Sequence, residues 1–418
     1  MNARPVTEAG RVLATPAPES SLAPPFADTE YRSRRQALIE AMGAAGIDVA
    51  VVLAPADLVY FTGLDLASQL VVSARGDSVH LVQINLERAS SESPVGDTRR
   101  SLGVRSVVDA VGDMCPPNGA VGLPFDVLPH RQFAVLEERL SGRRLLDLSP
   151  SVLGLRRRKS AAEMRVLREA ASISAASFAR AREIVRPGLR EYELQLEMEG
   201  VERELGADGV MRHRGWRGAL PWGIVCSGPG TAEVSGHWLT QTGPGPSAAR
   251  PFAAGRRRLR AGDQVVIDRG VVFHGYHCDE ARTMVVRSAT PRQQDCWRAL
   301  RRILAAAVAA VRPGAPVSSV YQAALETARE EGLGEVFMTR ALGGVEYLGH
   351  GVGLEIDEPP LVGPGSDEAL QPGMVLALEP KIIVPGWGGM TLEETVAVTE
   401  AGHEVITRSD IDPLEVAS

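Results

Sequence analysis

A repeated helix-ending signal constrains the fold of this chain more than any other feature of its sequence. The tetrapeptide Val-Arg-Pro-Gly occurs at 185–188 and again at 311–314. Each copy closes an amphipathic segment that begins at a capping box, opened by Ser160 in the first case and by Thr290 in the second. Because another helical pattern and then strand patterns follow each copy, the sequence predicts a duplicated unit. The helices predicted for the two units are 160–185 and 191–205, then 290–311 and 317–331.

Each unit also carries two carboxylates at equal distances from a predicted hairpin turn. The first turn is predicted at the His274-Gly275 pair, with Asp268 five residues before Phe273 and Asp279 five residues after His274. Glu379 and Glu393 lie seven residues on either side of a central turn glycine, Gly386. Residues equidistant from a hairpin turn face each other across the strands, so each pair is expected to converge. The neighbouring residues are apolar, and carboxylates beside buried strands are unfavourable unless cations neutralise them.

A histidine supplies the one nitrogen ligand that this arrangement needs. His350 stands in the segment Leu-Gly-His-Gly-Val-Gly-Leu at 348–354. Four carboxylates and one imidazole suit two divalent ions, of the Mn, Co, Zn or Fe kind, that share bridging ligands. A pseudo-twofold assembly of the duplicated units would bring the two hairpins together and place the metals between them. His277 is expected to be a supporting or surface histidine.

These motifs resemble those of the pita-bread metallopeptidase family, in its creatinase, Xaa-Pro aminopeptidase and prolidase branch. The match covers roughly residues 150 to 405 and rests on the order of its pieces, from Ile-Asp through Gly-His-Gly to Leu-Glu-Pro and Leu-Glu. The resemblance implies that Asp268 binds one metal and that Asp279 and Glu393 bridge both. It also implies that His350 and Glu379 bind the other metal and that Glu379 is the proton shuttle.

The expected fold class is α/β (α+β), with three parts along the chain. Residues 1–27, rich in Ala, Pro, Ser and Glu, predict a disordered tail. Residues 28–153 predict a small amino-terminal α/β domain that resembles its creatinase-like counterpart, and 154–418 predict the pita-bread catalytic domain with its internal duplication. The basic connector at 153–159 is interpreted as a solvated interdomain face. The elements predicted for the first domain are helices at 30–45 and 131–140 and strands at 47–53, 69–72, 79–83 and 104–108.

Composition excludes several function classes. The formal net charge of −7 and the pI near 5.7 give no basic footprint for nucleic acid. No apolar run reaches the length of a membrane span. The four cysteines lack a paired spacing, which favours reduced thiols in a cytoplasmic protein. The expected partners are a small-molecule substrate and a second copy of the chain, because the amino-terminal domain resembles one that helps to close the active site of a dimer partner.

The long irregular stretch at 211–261 has two interpretations. It contains Trp216, Trp222 and Trp238 among many Gly and Pro residues. A loop of this length in a compact domain is usually functional or disordered, and three tryptophans favour an ordered one. We expect either a wall of the substrate pocket or a surface that packs against the first domain or a partner subunit.

Departures from the family pattern leave the reaction open. Asp357 stands where Xaa-Pro peptidases have a histidine, Thr391 where they have an arginine, and Ser235 where they have a second histidine, which His237 could replace. The favoured hypothesis is a dinuclear hydrolase of a small C–N bond with altered, non-peptidase specificity. The alternatives are a metal-dependent lyase or other non-hydrolytic enzyme, an Xaa-Pro aminopeptidase or dipeptidase proper, and a metal-free or non-catalytic member. The candidate catalytic residues are Glu379, Asp357 and His237.

Overall fold

The computed structural model describes residues 24–215, 222–235, 241–339, 342, 347–412 and 414–416. Most of the predicted tail, and Trp216, Trp238 and His237 with it, lie outside the described residues. Phe26, close to the start of the described chain, packs its ring 5.8 Å from those of Tyr31 and Tyr276. No described helix is long and apolar enough to cross a membrane.

The first domain is a six-stranded mixed sheet covered by helices. Leu38 and Met42 lie on the buried side of its first helix, as the amphipathic pattern predicts. The elements of this domain, in chain order, are α1 (Asp28–Ala45), β1 (Val49–Val52), α2 (Pro55–Thr62), β2 (Ser68–Ser73), β3 (Ser78–Val82), α3 (Leu86–Glu92), β4 (Thr98–Arg100), α4 (Val104–Met114), β5 (Ala120–Leu123), α5 (His130–Arg139), β6 (Arg144–Asp147) and α6 (Ser149–Arg157). The strand order is β4-β3-β2-β1-β5-β6.

The predicted strand at 104–108 is wrong, because these residues begin helix α4. The run of β-branched residues favoured a strand. Burial follows the helical spacing instead, with Val107, Ala110 and Val111 packed in the apolar cluster that covers the sheet while Val104 stays exposed. The packing of one helical face against the sheet therefore outweighed local strand propensity.

The second domain confirms the predicted helix pairs. Ser160 accepts from the Glu163 backbone N–H and Thr290 from that of Gln293, so both capping boxes form. The stretch at 211–261 is less irregular than expected, since it contains a strand and a short 3₁₀ helix, Gly228–Ala232. The elements of this domain are α7 (Ala161–Ile184), α8 (Glu191–Glu204), β7 (Ile224–Ser227), β8 (Gln264–Phe273), β9 (Tyr276–Val286), α9 (Pro291–Ala310), α10 (Val317–Glu330), a 3₁₀ helix (Gly334–Val336), β10 (Gly349–Gly351), β11 (Glu358–Val362), β12 (Val375–Leu378), β13 (Lys381–Val384), β14 (Gly388–Thr391), β15 (Glu394–Thr399), β16 (Gly402–Val405) and β17 (Glu415–Val416).

The sheets of the two units contact each other through β9 and β15. One sheet has the order β17-β9-β8-β7 and another β11-β10-β12-β15-β16, with the β13–β14 hairpin beside them. Glu393 N–H donates to Ala281 O at 2.9 Å, and Asp279 N–H donates to Thr395 Oγ1 at 3.1 Å. These bonds join β9 to the segment that leads into β15. The first hairpin and the second therefore meet where each carries its carboxylates.

The connector between the domains is buried at its first and last basic residues, so the predicted solvated face is wrong at Arg156 and Lys159, whereas Arg158 is exposed. Arg156 is 2 % exposed and pairs with Asp57, Glu355 and Glu358. Lys159 is 6 % exposed and donates to Glu358 at 3.0 Å. Charges buried in this way persist only when opposite charges compensate them. This network fastens α6 of the first domain to the start of β11.

Candidate metal centre

The first hairpin brings its two aspartates to one face, although not directly opposite each other. Asp268 pairs with Ala281, and Asp279 pairs with Gly270, across β8 and β9. The tight turn forms at the predicted His274-Gly275 pair, but the expected face-to-face pairing is wrong by two residues, because Asp268 lies six residues before that pair and Asp279 four residues after it. The aspartates are diagonal neighbours, which long or ligated side chains still bridge.

The second hairpin has the predicted symmetry. Leu378 pairs with Glu394 on one side of the carboxylates, and Lys381 pairs with Thr391 on the other. The pairing of β12 with β15 and that of β13 with β14 continue in one register. Glu379 and Glu393, which lie between these two paired stretches, therefore occupy facing positions. Glu393 is 1 % exposed. Glu379, which directly follows the apolar strand β12, thus faces Glu393, which directly precedes β15.

His350 lies on β10, which is hydrogen-bonded to β12 beside the two glutamates. Its Nδ1 lies 3.0 Å from Gly351 O, so this nitrogen donates and Nε2 is left with its lone pair toward the carboxylates. Nε2 lies 3.8 Å from an oxygen of Asp279 and 3.8 Å from one of Glu379. The two glycines that flank His350 allow the backbones of β11 and β12 to approach, since a Cβ on Gly349 would meet Ala377 O at 1.8 Å.

Three of the five predicted ligands form a compact donor set. One ligand atom from each of Asp279, His350 and Glu393 lies within 4.8 Å of the others, and all three residues are buried. Within the part of the chain that the structure describes, Glu393 Oε2 is buried without a hydrogen-bond partner. Two carboxylates and one imidazole around an unsatisfied oxygen fit a divalent ion of the first transition row.

The electrostatics of the cluster demand a cation. Burial raises the pKa of the Asp279 carboxyl well above its usual range, and the charges of Asp268 and Asp357 raise it further. Burial, together with Asp279 and Asp268, does the same to the pKa of Glu393. Like charges that share one site cannot all ionise without compensation. The group is therefore built for positive charge.

Comparison with known proteins identifies the family. The model of metallopeptidase family M24 matches residues 165–400, which is more than half of the chain, and the model of the creatinase/prolidase amino-terminal domain matches residues 34–158. The chain belongs to metallopeptidase family M24. This confirms the resemblance drawn from the motifs, and it makes the chain a metal-dependent hydrolase by family.

Relatives of the M24 chain span nearly its whole length. Xaa-Pro dipeptidase of Pyrococcus furiosus is 25% identical over 387 residues, which cover 91% of this chain and 99% of the relative. Among solved structures, Xaa-Pro dipeptidase from Bacillus anthracis has a TM-score of 0.79 at 25% identity and covers 92% of this chain and 99% of its own. Dipeptidase PepE from Mycobacterium ulcerans has a TM-score of 0.76 at 27% identity, and the match covers 94% of this chain and 99% of PepE.

Lys381 lies in the M24 carboxylate cluster, and sequence reasoning missed it. It is 1 % exposed and its Nζ makes a short contact with Glu379 Oε2. Burial lowers the pKa of this ammonium, whereas Asp268, Glu393 and Asp279 favour its charged form. The signal was present, because residues two apart on a strand share a face and Lys381 stands two after Glu379.

A second histidine reaches the M24 centre from an unexpected segment. His213 Nε2 lies 3.2 Å from Asp357 Oδ2, and the other oxygen of Asp357 lies 3.2 Å from His350 Nε2. Asp357 thus stands between two imidazoles rather than as an isolated anion. The candidate His237 lies outside the described residues. Ser235 is the residue that the sequence comparison places at the second family histidine. Its Oγ lies 2.8 Å from Thr242 Oγ1, within hydrogen-bond distance.

The segment that carries His213 is held from both sides. The Arg212 backbone N–H donates to His277 Nε2 at 3.0 Å, and His277 Nδ1 donates to Gly353 O at 2.9 Å. Burial lowers the pKa of His277 to about 4, so this imidazole stays neutral and positions both backbones. On the other side Arg214 pairs with Asp57 of the first domain. His277 is therefore a buried supporting histidine, and the first domain helps to place His213.

Thr391, where the family has an arginine, is tied to the backbone. Its N–H donates to hydroxyl Oγ1 of Thr283 at 2.9 Å and its own hydroxyl donates to Pro380 O at 3.2 Å. It is 1 % exposed. Lys381, which carries a basic side chain, is the residue paired with Thr391 across β13 and β14.

Proposed function

We propose that this M24 chain is a metal-dependent dipeptidase of the cytoplasm, with Xaa-Pro dipeptides as its first candidate substrates. One observation carries the proposal. The buried set of Asp279, His350 and Glu393 is linked through Asp357 to a further histidine, His213. We infer that His213 performs the role of the histidine expected at position 357. The names of the full-length relatives support the same substrate class. A non-peptidase specificity has no such support.

The reaction would be hydrolysis of the peptide bond. A water oxygen bonds to the carbonyl carbon, the C–N bond breaks, and the water proton moves to the leaving nitrogen. Asp279, His350 and Glu393 would hold a divalent ion, which would supply Lewis-acid chemistry to the carbonyl and the water. The Mn, Co, Zn and Fe ions all suit this donor set.

Two groups of the chain would carry the proton and the developing charge. Glu379 is partly buried, with one oxygen 3.8 Å from His350 Nε2, and it is placed to accept the water proton and return it to nitrogen. His213, whose Nε2 is oriented by Asp357, is placed to donate to the oxyanion as it forms. Removing one such donor typically costs about 10²–10³ in turnover.

A second candidate is the hydrolysis of another small amide or amidine. It is favoured by Asp357, whose side chain is 32 % exposed beside the cluster, and by Thr391 in place of an arginine. An exposed carboxylate suits a substrate with a cationic or donor-rich group. A lyase on the same scaffold has no specific feature in its favour.

The test is a substrate panel with the purified chain loaded separately with Mn²⁺, Co²⁺ and Zn²⁺. We expect Xaa-Pro dipeptides to be cleaved faster than matched Xaa-Ala dipeptides, with turnover near the ordinary enzyme median of about 10 s⁻¹. Cleavage of cationic amides without cleavage of any dipeptide would replace the first candidate by the second. Absence of hydrolysis across the panel in metal-loaded protein would overturn both.

We further propose a homodimer. The first domain contributes Asp57 and Asp65 to the segment that carries His213, so its placement matters to the site. Domains that resemble it help to close a partner's site. Light scattering at micromolar concentration should give twice the chain mass of 44.6 kDa. A single-chain mass across that range would contradict the dimer.

A further inference from the structure

Lysine is rare in this chain and is used only in buried places. Two of its 45 Lys and Arg residues are lysines, Lys159 and Lys381, and arginine serves every other position. Both lysines lie within the described residues, at 6 % and 1 % exposure, and both contact carboxylates. Lysine presents a compact point charge on a flexible stem, whereas the arginine guanidinium is a broad planar fork. Lys381 is thus placed where a small cation fits.

Lys381 points into the cluster by strand geometry. It stands two residues after Glu379 and opposite Thr391, which stands two residues before Glu393. Residues with this spacing share one face of a hairpin. Its Nζ contacts Glu379 Oε2, and Asp268 is the carboxylate that acts on it most strongly. Those two carboxylates are the predicted ligands outside the compact set of Asp279, His350 and Glu393.

We propose that the buried Lys381 side chain, whose Nζ contacts Glu379 Oε2, occupies the place of one of the two predicted metal ions, so that the chain holds a single divalent ion on Asp279, His350 and Glu393. This inference rests on the metal site of the proposed function and not on its substrate. An ammonium against Glu379 and a divalent ion on the same carboxylate repel each other across a short, poorly solvated distance. The Lys381 ammonium then offsets the charge of Glu379 without a second metal ion.

A single ion also suits the role given to Glu379. Freed from the metal, Glu379 can exchange a proton with water while Lys381 keeps it in place. The chain would then divide two tasks between two cations, with the metal ion activating substrate and water and the ammonium orienting the base.

The decisive measurement is the number of ions per chain. Full-length wild-type protein is saturated with Mn²⁺, freed of loosely bound metal and analysed by elemental analysis and native mass spectrometry. Electron paramagnetic resonance then distinguishes an isolated Mn²⁺ from a spin-coupled pair. We expect one ion and no coupled signal in the wild type, and two ions with a coupled signal in Lys381→Met, which keeps an unbranched side chain of nearly the same length without the charge.

Matched variants separate this role from general damage. Lys159→Met removes the other buried lysine and should keep the wild-type count of one ion. Lys381→Arg keeps the charge and should also hold one. A wild-type count of two, or a folded Lys381→Met with one, would overturn the inference. If Lys381→Met does not fold, the wild-type count and spectrum decide alone.

The outcomes also separate this inference from the proposed function. Two coupled ions in a wild-type protein that cleaves dipeptides would overturn the inference only. One ion in a protein that cleaves no member of the panel would overturn the proposed function only. Wild-type protein that binds no Mn²⁺, Co²⁺ or Zn²⁺ would overturn both.

Discussion

His213 Nε2 lies 3.2 Å from Asp357 Oδ2, and Asp357 Oδ1 lies 3.2 Å from His350 Nε2. The carboxylate that replaces a family histidine is therefore held between two imidazoles. An isolated anion at this place would repel a substrate carboxylate and a tetrahedral oxyanion. A carboxylate with an imidazole against each oxygen acts differently, because it can orient His213 and the predicted metal ligand His350.

Replacing His213 by alanine should lower turnover without emptying the metal site. We expect kcat on the best dipeptide to fall by about 10²–10³, as for the loss of one oxyanion donor. The Mn²⁺ content should stay at the wild-type value, since His213 is not part of the ligand set. His130→Ala, at an exposed position at the start of α5, is the control. A rise in KM with unchanged kcat would assign His213 to substrate binding alone.

Replacing Glu393 by glutamine should abolish tight metal binding. The variant loses the anionic oxygen of a buried ligand that no described residue satisfies. We expect the Mn²⁺ content after dialysis to drop to a small fraction of the wild-type content. The exposed Glu400→Gln serves as a matched control and should keep full content. Equal metal content in Glu393→Gln and wild type, with both folded, would remove Glu393 from the ligand set.

Replacing Arg156 by methionine should destabilise the junction between the domains. The substitution leaves Asp57, Glu355 and Glu358 without the cation that they share, and breaking a buried pair typically costs about 3–5 kcal/mol. We expect a clear fall in the denaturation midpoint measured by circular dichroism. Arg302→Met, which removes an exposed pair with Glu331, should leave the midpoint unchanged. Equal midpoints for the two variants would contradict a stabilising role of the network.

His80 should make the first domain sensitive to acid. Burial lowers the pKa of His80 to about 4, with a smaller effect from Arg35. An unfolded histidine takes up a proton near pH 6.5, so stability is full above that pH and falls as pH drops toward the folded pKa. The loss attributable to this one group reaches at most about 3 kcal/mol.

The measurement for His80 is a denaturant midpoint at several pH values from 7 to 4. In His80→Leu the fall between pH 6.5 and 4 should be shallower than in wild type, because the variant has no proton to take up there. His130→Leu, at an exposed position, should follow the wild-type curve. Parallel curves for wild type and His80→Leu would contradict the buried, neutral state of His80.

Much of the fold could be predicted because its signals are local. Ser160 and Thr290 cap two helices, and each helix start is determined by residues within one turn of the cap. The Pro-Gly pair that follows the end of each helix occurs in both units. The carboxylate pair of the second hairpin follows from symmetry about one turn, which the register confirms. The strand expected at 104–108 is wrong because its outcome depended on the neighbouring sheet and not on its own residues.

The candidate site divides in the same way. The sequence by itself determined the family and predicted the ligand types and their order, since each motif is a short contiguous string whose side-chain chemistry is known. Only the tertiary structure decided that Arg156 is buried, that His213 reaches Asp357 and that Lys381 enters the cluster. Each of these contacts joins segments far apart in the chain, and the balance between desolvation and Coulomb attraction that holds them depends on packing that no single segment encodes.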